Sequence, residues 1–178
     1  MSRGATVWLT GLSGAGKTTI AVAVAERLRA AGREVEVLDG DELRRGLSAG
    51  LSFSRDDRDT HVRRVGFVAE LLARHGVVAL VPVIAPYAGT RDEVRAHHDA
   101  HGTGYLEVHV ATPLLECVRR DVKGLYARAA AGELTAMTGV DDPYEEPDKP
   151  DLRLHTTGTD IATAAQHVID LLTNRGIT

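Results

Sequence analysis

Eight residues, Gly11-Leu12-Ser13-Gly14-Ala15-Gly16-Lys17-Thr18, carry the spacing G-x-x-x-x-G-K-[ST]. Each residue type in that pattern has a physical use. The glycines let the backbone turn tightly and approach a phosphate. The free N–H groups opening a following helix point at the anion, helped by the helix dipole. Lys17 supplies a point charge for β- and γ-phosphates, and the Thr18 hydroxyl is placed to ligate Mg²⁺. A triphosphate site is therefore expected at Gly11, Ser13, Gly14, Ala15, Gly16, Lys17, Thr18 and the adjoining Thr19.

Further along, Leu38-Asp39-Gly40-Asp41 ends an apolar run and is followed by Arg44 and Arg45. A carboxylate at such a strand end can hold Mg²⁺ through water or take a proton from an attacking hydroxyl. Asp41 is the stronger candidate, because Asp39 is equally suited to capping the short helix that follows. Phe53, one of two phenylalanines, lies in a polar loop beside Arg55 and Arg58. A loop aromatic can stack on a flat base while arginines fork onto its phosphates. Arg58 and His61, three apart, share a helical face. Ile84-Ala85-Pro86-Tyr87 closes a third apolar run, and Ala85 contributes only backbone and shape. Arg119, Arg120 and Lys123 stand at the root of a charged segment and can neutralise a phosphoryl group in transfer.

Other patterns carry less. His97 and His101 are four apart on one helical face, but no third ligand is evident and no Glu follows the first His, so they read as a solvated helix end. Asp121-Val122-Lys123-Gly124 fits D-x-x-G, yet it follows a late helix and no guanine-reading Asn-Lys-x-Asp comes after it. Cys117 falls in an apolar helical pattern and reads as core.

These residues need a scaffold. Short apolar runs at 6–10, 35–38, 77–84, 105–110 and 152–155 predict strands. Longer amphipathic stretches at 17–31, 42–47, 57–75, 91–100, 113–120, 124–131 and 160–174 predict helices. The alternation indicates an α/β fold: a parallel five-stranded sheet flanked by helices, with the candidate residues at the carboxyl ends of the strands. Gly32 and Gly76 sit where helices should stop, and Asp160 where the last should start. Residues 121–151 hold three of the six prolines and little periodicity, which predicts an ordered lid.

The 178 residues read as one domain, 1–178. With 43% hydrophobic and 26% charged residues, the chain is ordinary for a soluble globular protein. A net charge of −4 without a basic block argues against a nucleic-acid partner. No apolar run reaches membrane-spanning length. The first strand begins within a few residues of the N-terminus, leaving no room for a signal peptide, and the lone cysteine excludes an internal disulfide; a cytoplasmic protein is expected.

The stretches 11–19, 38–44, 50–64, 86–87, 120–126, 131–133 and 138–145, in that order, make the chain similar to the adenylyl-sulfate kinase family. The P-loop is generic; Asp-Gly-Asp-x-x-Arg, Asp121-Val122-Lys123-Gly124-Leu125-Tyr126 and Thr138-Gly139-Val140-Asp141-Asp142-Pro143-Tyr144 are much more specific. The resemblance implies a P-loop kinase fold with a mobile lid, homodimers, and Mg²⁺-dependent transfer of the γ-phosphate of ATP to the 3′-hydroxyl of adenosine 5′-phosphosulfate. It implies Lys17, Asp41 and Lys123 as catalytic, and Thr18 with Asp41 (through water) around the metal. The phosphosulfate nucleotide would meet Asp41, Leu43, Arg44, Phe53, Arg58 and His61. Ile84, Ala85 and Lys123 would line the same site, with Ala136 and Met137 over the second face of the base.

The chain departs from the family pattern at four places. Ala85 replaces a Ser that some members phosphorylate, so transfer should be direct and in-line. Ala88 replaces an Arg. His61 replaces an Asn, which predicts added pH sensitivity. Met137 replaces a Phe, giving up ring stacking worth roughly 1–3 kcal/mol per base. The alternative reading from the residues is a related P-loop kinase acting on another nucleoside or small-molecule alcohol.

Overall fold

The computed structural model describes residues 3–178. Five strands, β1 (Ala5–Thr10), β2 (Val35–Val37), β3 (Val78–Pro82), β4 (Gly104–Val110) and β5 (Leu152–Leu154), form one sheet in the order β2-β3-β1-β4-β5. All pairings are parallel, with Ala5 level with both Val78 and Gly104. The sheet and its flanking helices match the predicted α/β architecture.

Side chains alternate between the two faces of the sheet, as strand geometry requires. Val7, Leu9, Val78, Leu80, Leu106 and Val108 face one core, closed by α1 (Lys17–Ala30) and α7 (Ile161–Asn174). Ile20, Ala21, Val24, Ala25 and Leu28 form the apolar stripe of α1, recurring at the spacing of one helical face. Trp8, Ala79, Val81 and Tyr105 face the second core, closed by α3 (Arg55–Arg74) and α4 (Ala88–Ala100). Among the described residues three short helices remain: α2 (Gly40–Arg45), α5 (Leu114–Arg120) and α6 (Leu125–Ala130).

Several element boundaries differ from the sequence reading, and three of them bear on the cleft. The third strand stops at Pro82 instead of Ile84. Val83 makes one last rung to Leu9 O (3.1 Å), and Ala85 then turns the chain out of the sheet with φ 44°. Helix α2 starts at Gly40, because Asp39 accepts from the N–H groups of Asp41 (3.0 Å) and Glu42 (3.2 Å). Helix α4 starts at Ala88, three residues early, and no local side chain caps it. Its cap comes from far away: the Ala88 N–H donates to the Glu145 carboxylate at 2.7 Å.

The segment 121–151 is tied down along its length. Asp121 accepts from the N–H groups of Tyr126 and Ala127, both at 3.0 Å, and starts α6. The Tyr126 hydroxyl donates to Ser13 O (2.9 Å), joining α6 to the glycine-rich loop. Asp141 accepts from Ala136 N (2.8 Å) and Met137 N (2.5 Å). Tyr144 hydrogen-bonds Thr10 (2.9 Å), and Arg91 donates to Glu145 O (2.6 Å).

Candidate active site

The turn between β1 and α1 is made by glycines at positive φ, with Gly14 at 76° and Gly16 at 104°. Gly16 caps α1 without a side chain, so the first-turn N–H groups are left for an external acceptor. The Lys17 ammonium lies inside this turn, donating to Gly11 O (2.9 Å) and Leu12 O (2.7 Å). Burial, reinforced by the nearby Lys123 charge, lowers its pKa to about 8, against the opposing pull of Asp41 and Asp39. An incoming polyanion would restore the full charge.

The strand ends bring the other groups to the same place. Thr18 Oγ1 donates to Asp39 Oδ2 at 3.1 Å. Asp39 thus caps α2 with one oxygen and meets the Thr18 hydroxyl with the other. The sequence reading placed Asp41 beside Thr18; the carboxylate in contact with that hydroxyl is Asp39. Asp41 is instead paired with Lys123, which reaches across from the root of the lid. Both partners are more than half exposed, so the bond can open at little cost.

A cleft of about 600 Å³ runs from the glycine loop to α3 and the lid. Ser13, Gly14, Gly16, Lys17, Thr18 and Thr19 line its near end. Asp41, Arg44, Phe53, Arg58 and His61 line its far wall, with Ile84, Ala85, Lys123, Ala136 and Met137 around it. Three predicted residues do not line it. Gly11 is buried, its carbonyl held by Lys17. Ala15 is fully buried, its carbonyl taken by Thr112 (2.8 Å) and Thr156 (3.2 Å). Leu43 packs against the second core.

Phe53 is 61% exposed and lines the cleft, so its ring is open to a ligand there. The Arg44 guanidinium stands over its ring, 4.6 Å from the centroid. Met137 is buried, packed into the first core, and also lines the cleft. Ala85 and Ala136, both lining the cleft, hold positive φ of 44° and 58°. Left-handed backbone at non-glycine residues persists where surrounding contacts impose it, commonly at ligand sites. Here Ala85 O is held by Arg91 (2.7 Å) and Ala136 O by Arg58.

Two expectations change. From the sequence, Arg58 is expected to clamp an anion. In the structure all three guanidinium nitrogens have protein partners: Nε donates to Phe53 O (2.8 Å), Nη1 to Thr138 Oγ1 (2.6 Å), and Nη2 to Ala136 O, with Asp142 at 3.0 Å. Arg58 therefore ties α3 to the lid segment above the cleft. His61 was expected to add pH sensitivity. Burial, then the charges of Arg44 and Arg64, bring its pKa to about 4, so it stays neutral at physiological pH. Its Nδ1 pairs with Ser48 Oγ at 2.9 Å.

Sequence reasoning gave too little weight to Arg120. It lines the cleft, anchored by Glu116 Oε1 (2.8 Å) and Thr156 Oγ1 (2.9 Å), and its Nη1 lies near Gly16. The sequence signal was its place four residues after Glu116 on a short helix ending at the lid.

A family model described as adenylylsulphate kinase matches residues 3–155. The chain belongs to the adenylylsulphate kinase family. An adenylyl-sulfate kinase of a Picosynechococcus strain is 51% identical over 174 residues, covering 98% of this chain and 96% of that one. The fold agrees. The APS kinase of Mycobacterium tuberculosis, solved in complex with AMPPNP and APS, is 50% identical with a TM-score of 0.94, over 97% of this chain and 99% of that one. A hexameric APS kinase from Thiobacillus denitrificans is 40% identical with a TM-score of 0.74, over 99% of this chain and 30% of that one. This family member thus has the P-loop kinase fold. Among its described residues no helix is long and apolar enough to cross a membrane.

Proposed function

We propose that the protein transfers the γ-phosphate of ATP to the 3′-hydroxyl of adenylyl sulfate. The observation that carries this reading is one continuous cleft holding a triphosphate loop at one end and Arg44 with an exposed Phe53 at the other. A nucleotide acceptor needs a stacking face and a cation for its anionic end, and both line the same cleft as Lys17.

The N–H groups of 13, 14 and 16–19 and Lys17 hold the β- and γ-phosphates. Lys17 exchanges its loop carbonyls for phosphate oxygens. Phe53 covers one face of the acceptor adenine, and Ala136 with Met137 the other. Arg44 binds the phosphosulfate. Arg58 positions 136–138 by the bonds it makes to Ala136 and Thr138. Asp41 orients the 3′-hydroxyl and takes its proton as that oxygen bonds to the γ-phosphorus. The bond from γ-phosphorus to the β–γ bridging oxygen breaks and ADP leaves. Lys123, released from Asp41, neutralises charge on the transferring group. Ala85 has no hydroxyl, so the transfer is direct. Thr18 and Asp39 present only oxygen donors, 3.1 Å apart, and with Asp41 through water they fit Mg²⁺. When bound, that ion would draw charge from the β- and γ-phosphate oxygens.

The reading extends to cytoplasmic residence, which the lone, buried Cys117 suits, and to a homodimer. Light scattering on the eluted protein decides between a dimer, a monomer and a larger assembly. The central test is ADP release from MgATP with and without adenylyl sulfate, for wild type and Asp41→Ala. Strong stimulation in wild type and its loss in the variant are expected. ATP binding without stimulation would remove the acceptor assignment.

A further inference from the structure

The α3–α4 face at the end of the molecule remote from the cleft carries a cluster that the phosphotransfer site does not use. His97 and His101 lie one helical turn apart on α4, their rings 4.6 Å apart. Glu70 comes from α3 and is fully buried. One nitrogen or oxygen from each of the three lies within 4.8 Å of the others. Glu70 is twelve residues beyond Arg58, which at 1.5 Å per residue puts it about 18 Å down the helix from the cleft.

We propose that Glu70, His97 and His101 form a binding site for a divalent transition-metal ion such as zinc. Two imidazoles and a carboxylate are a donor set that suits zinc, leaving a fourth position for water.

The donor atoms are available. His101 Nδ1 lies 2.8 Å from the His97 carbonyl, which can only accept, so Nδ1 carries the proton and Nε2 presents its lone pair. His97 Nε2 is shielded from solvent yet has no hydrogen-bond partner among the described residues, and it stands 3.8 Å from Glu70 Oε2. A buried polar atom without a partner is uncommon and calls for an explanation. Arg74 holds both carboxylate oxygens of Glu70 (3.1 and 2.6 Å), fixing the ligand's orientation as a partner behind a metal ligand does. Each oxygen keeps a second lone pair. Ligand bonds of ~2.0–2.1 Å in a tetrahedron put donor atoms about 3.4 Å apart, so a small contraction of the cluster suffices.

The two helices are also held at a fixed distance. Gly66 lies one turn before Glu70, and a Cβ there would meet Val94 at 2.7 Å. Only glycine lets α3 and α4 approach this closely. His98, between the two proposed ligands, points the other way. Its Nδ1 donates to Val94 O and its Nε2 accepts from Thr6 Oγ1, both at 2.8 Å, so it takes no part. Phe67 stands 6.0 Å from the His97 ring and walls one side of the site.

The test uses the whole protein without a histidine tag, freed of metal by chelation. Zinc chloride is titrated calorimetrically and cobalt chloride by visible absorption, on wild type, His101→Ala and the His97→Ala/His101→Ala double variant. Expected are one zinc equivalent bound at micromolar or tighter dissociation constant, a higher unfolding temperature with zinc, and cobalt absorption of a four-coordinate N/O site. His101→Ala should weaken binding by at least ~10-fold, and the double variant should abolish it with phosphotransfer unchanged. Both variants retain Asp39 and Asp41, so zinc held in the cleft survives in them. Absence of binding in wild type, or equal binding in the double variant, overturns the proposal.

Discussion

Lys17 and Arg58 show how tertiary contacts reset what a residue can do. Lys17 is buried beside Lys123, and its pKa of about 8 puts its charge within reach of ordinary assay conditions. The charged form binds phosphate, so kcat/KM for ATP should fall as pH rises through about 8, and Lys123→Ala should move that fall to higher pH. A pH series on the free enzyme checks this. Around neutral pH His61 should contribute no inflection, because it is already neutral there. Arg58 links Phe53, Ala136, Thr138 and Asp142. Arg58→Ala leaves these groups unpaired, and a loss of about 2–3 kcal/mol in urea unfolding is expected. KM for the acceptor should rise more than KM for ATP, since the segment that Arg58 holds covers the acceptor's base. Arg58→Lys should rescue little, because one ammonium cannot reproduce a fork with four partners.

At the scale of elements, helix starts divide into two kinds. Asp160 caps α7 from within its own sequence, accepting from Thr163 N at 2.7 Å, and Ser54 caps α3 in the same manner. Both caps are local in sequence: the residue types announce the first, while the pattern placed the start of α3 at 57, two residues late. Helix α4 instead takes its cap from Glu145, 57 residues later, and no local pattern announces it. The two caps predict different consequences. Asp160→Ala should cost about 1 kcal/mol with turnover unchanged. Glu145→Ala should cost a similar amount and also loosen the lid, so acceptor KM should rise with it. Thermal unfolding and steady-state kinetics on the pair separate the two. The same logic explains the third strand. Apolar content ran on to Ile84, but Pro82 offers no N–H and Ala85 turns away, so pairing ends early.

For the whole molecule, acid is the expected weakness. Burial holds His61 and His109 at about 4, below the ordinary 6.5. Above pH 6.5 neither state takes up these protons. As pH falls from 6.5 toward 4 the unfolded chain binds them and the folded chain does not, so stability should drop across that window. The unfolding temperature measured across it should fall for wild type and fall less steeply for His61→Asn, which removes one titrating ring.

The sequence by itself determined the glycine loop, the alternation of strands and helices, the parallel sheet covered by helices, and the stretches around Asp41, Phe53 and Lys123 that mark the family. These follow from residue type and short-range spacing, which set backbone freedom and the face a side chain takes. Only the tertiary structure decided that Asp39 meets Thr18, that Arg58 is occupied by the lid, that His61 stays neutral, and that Glu70 stands beside His97 and His101. Each of these depends on residues far apart in the chain being packed together out of water. There the partner and the local dielectric, which no spacing encodes, fix hydrogen bonding and charge.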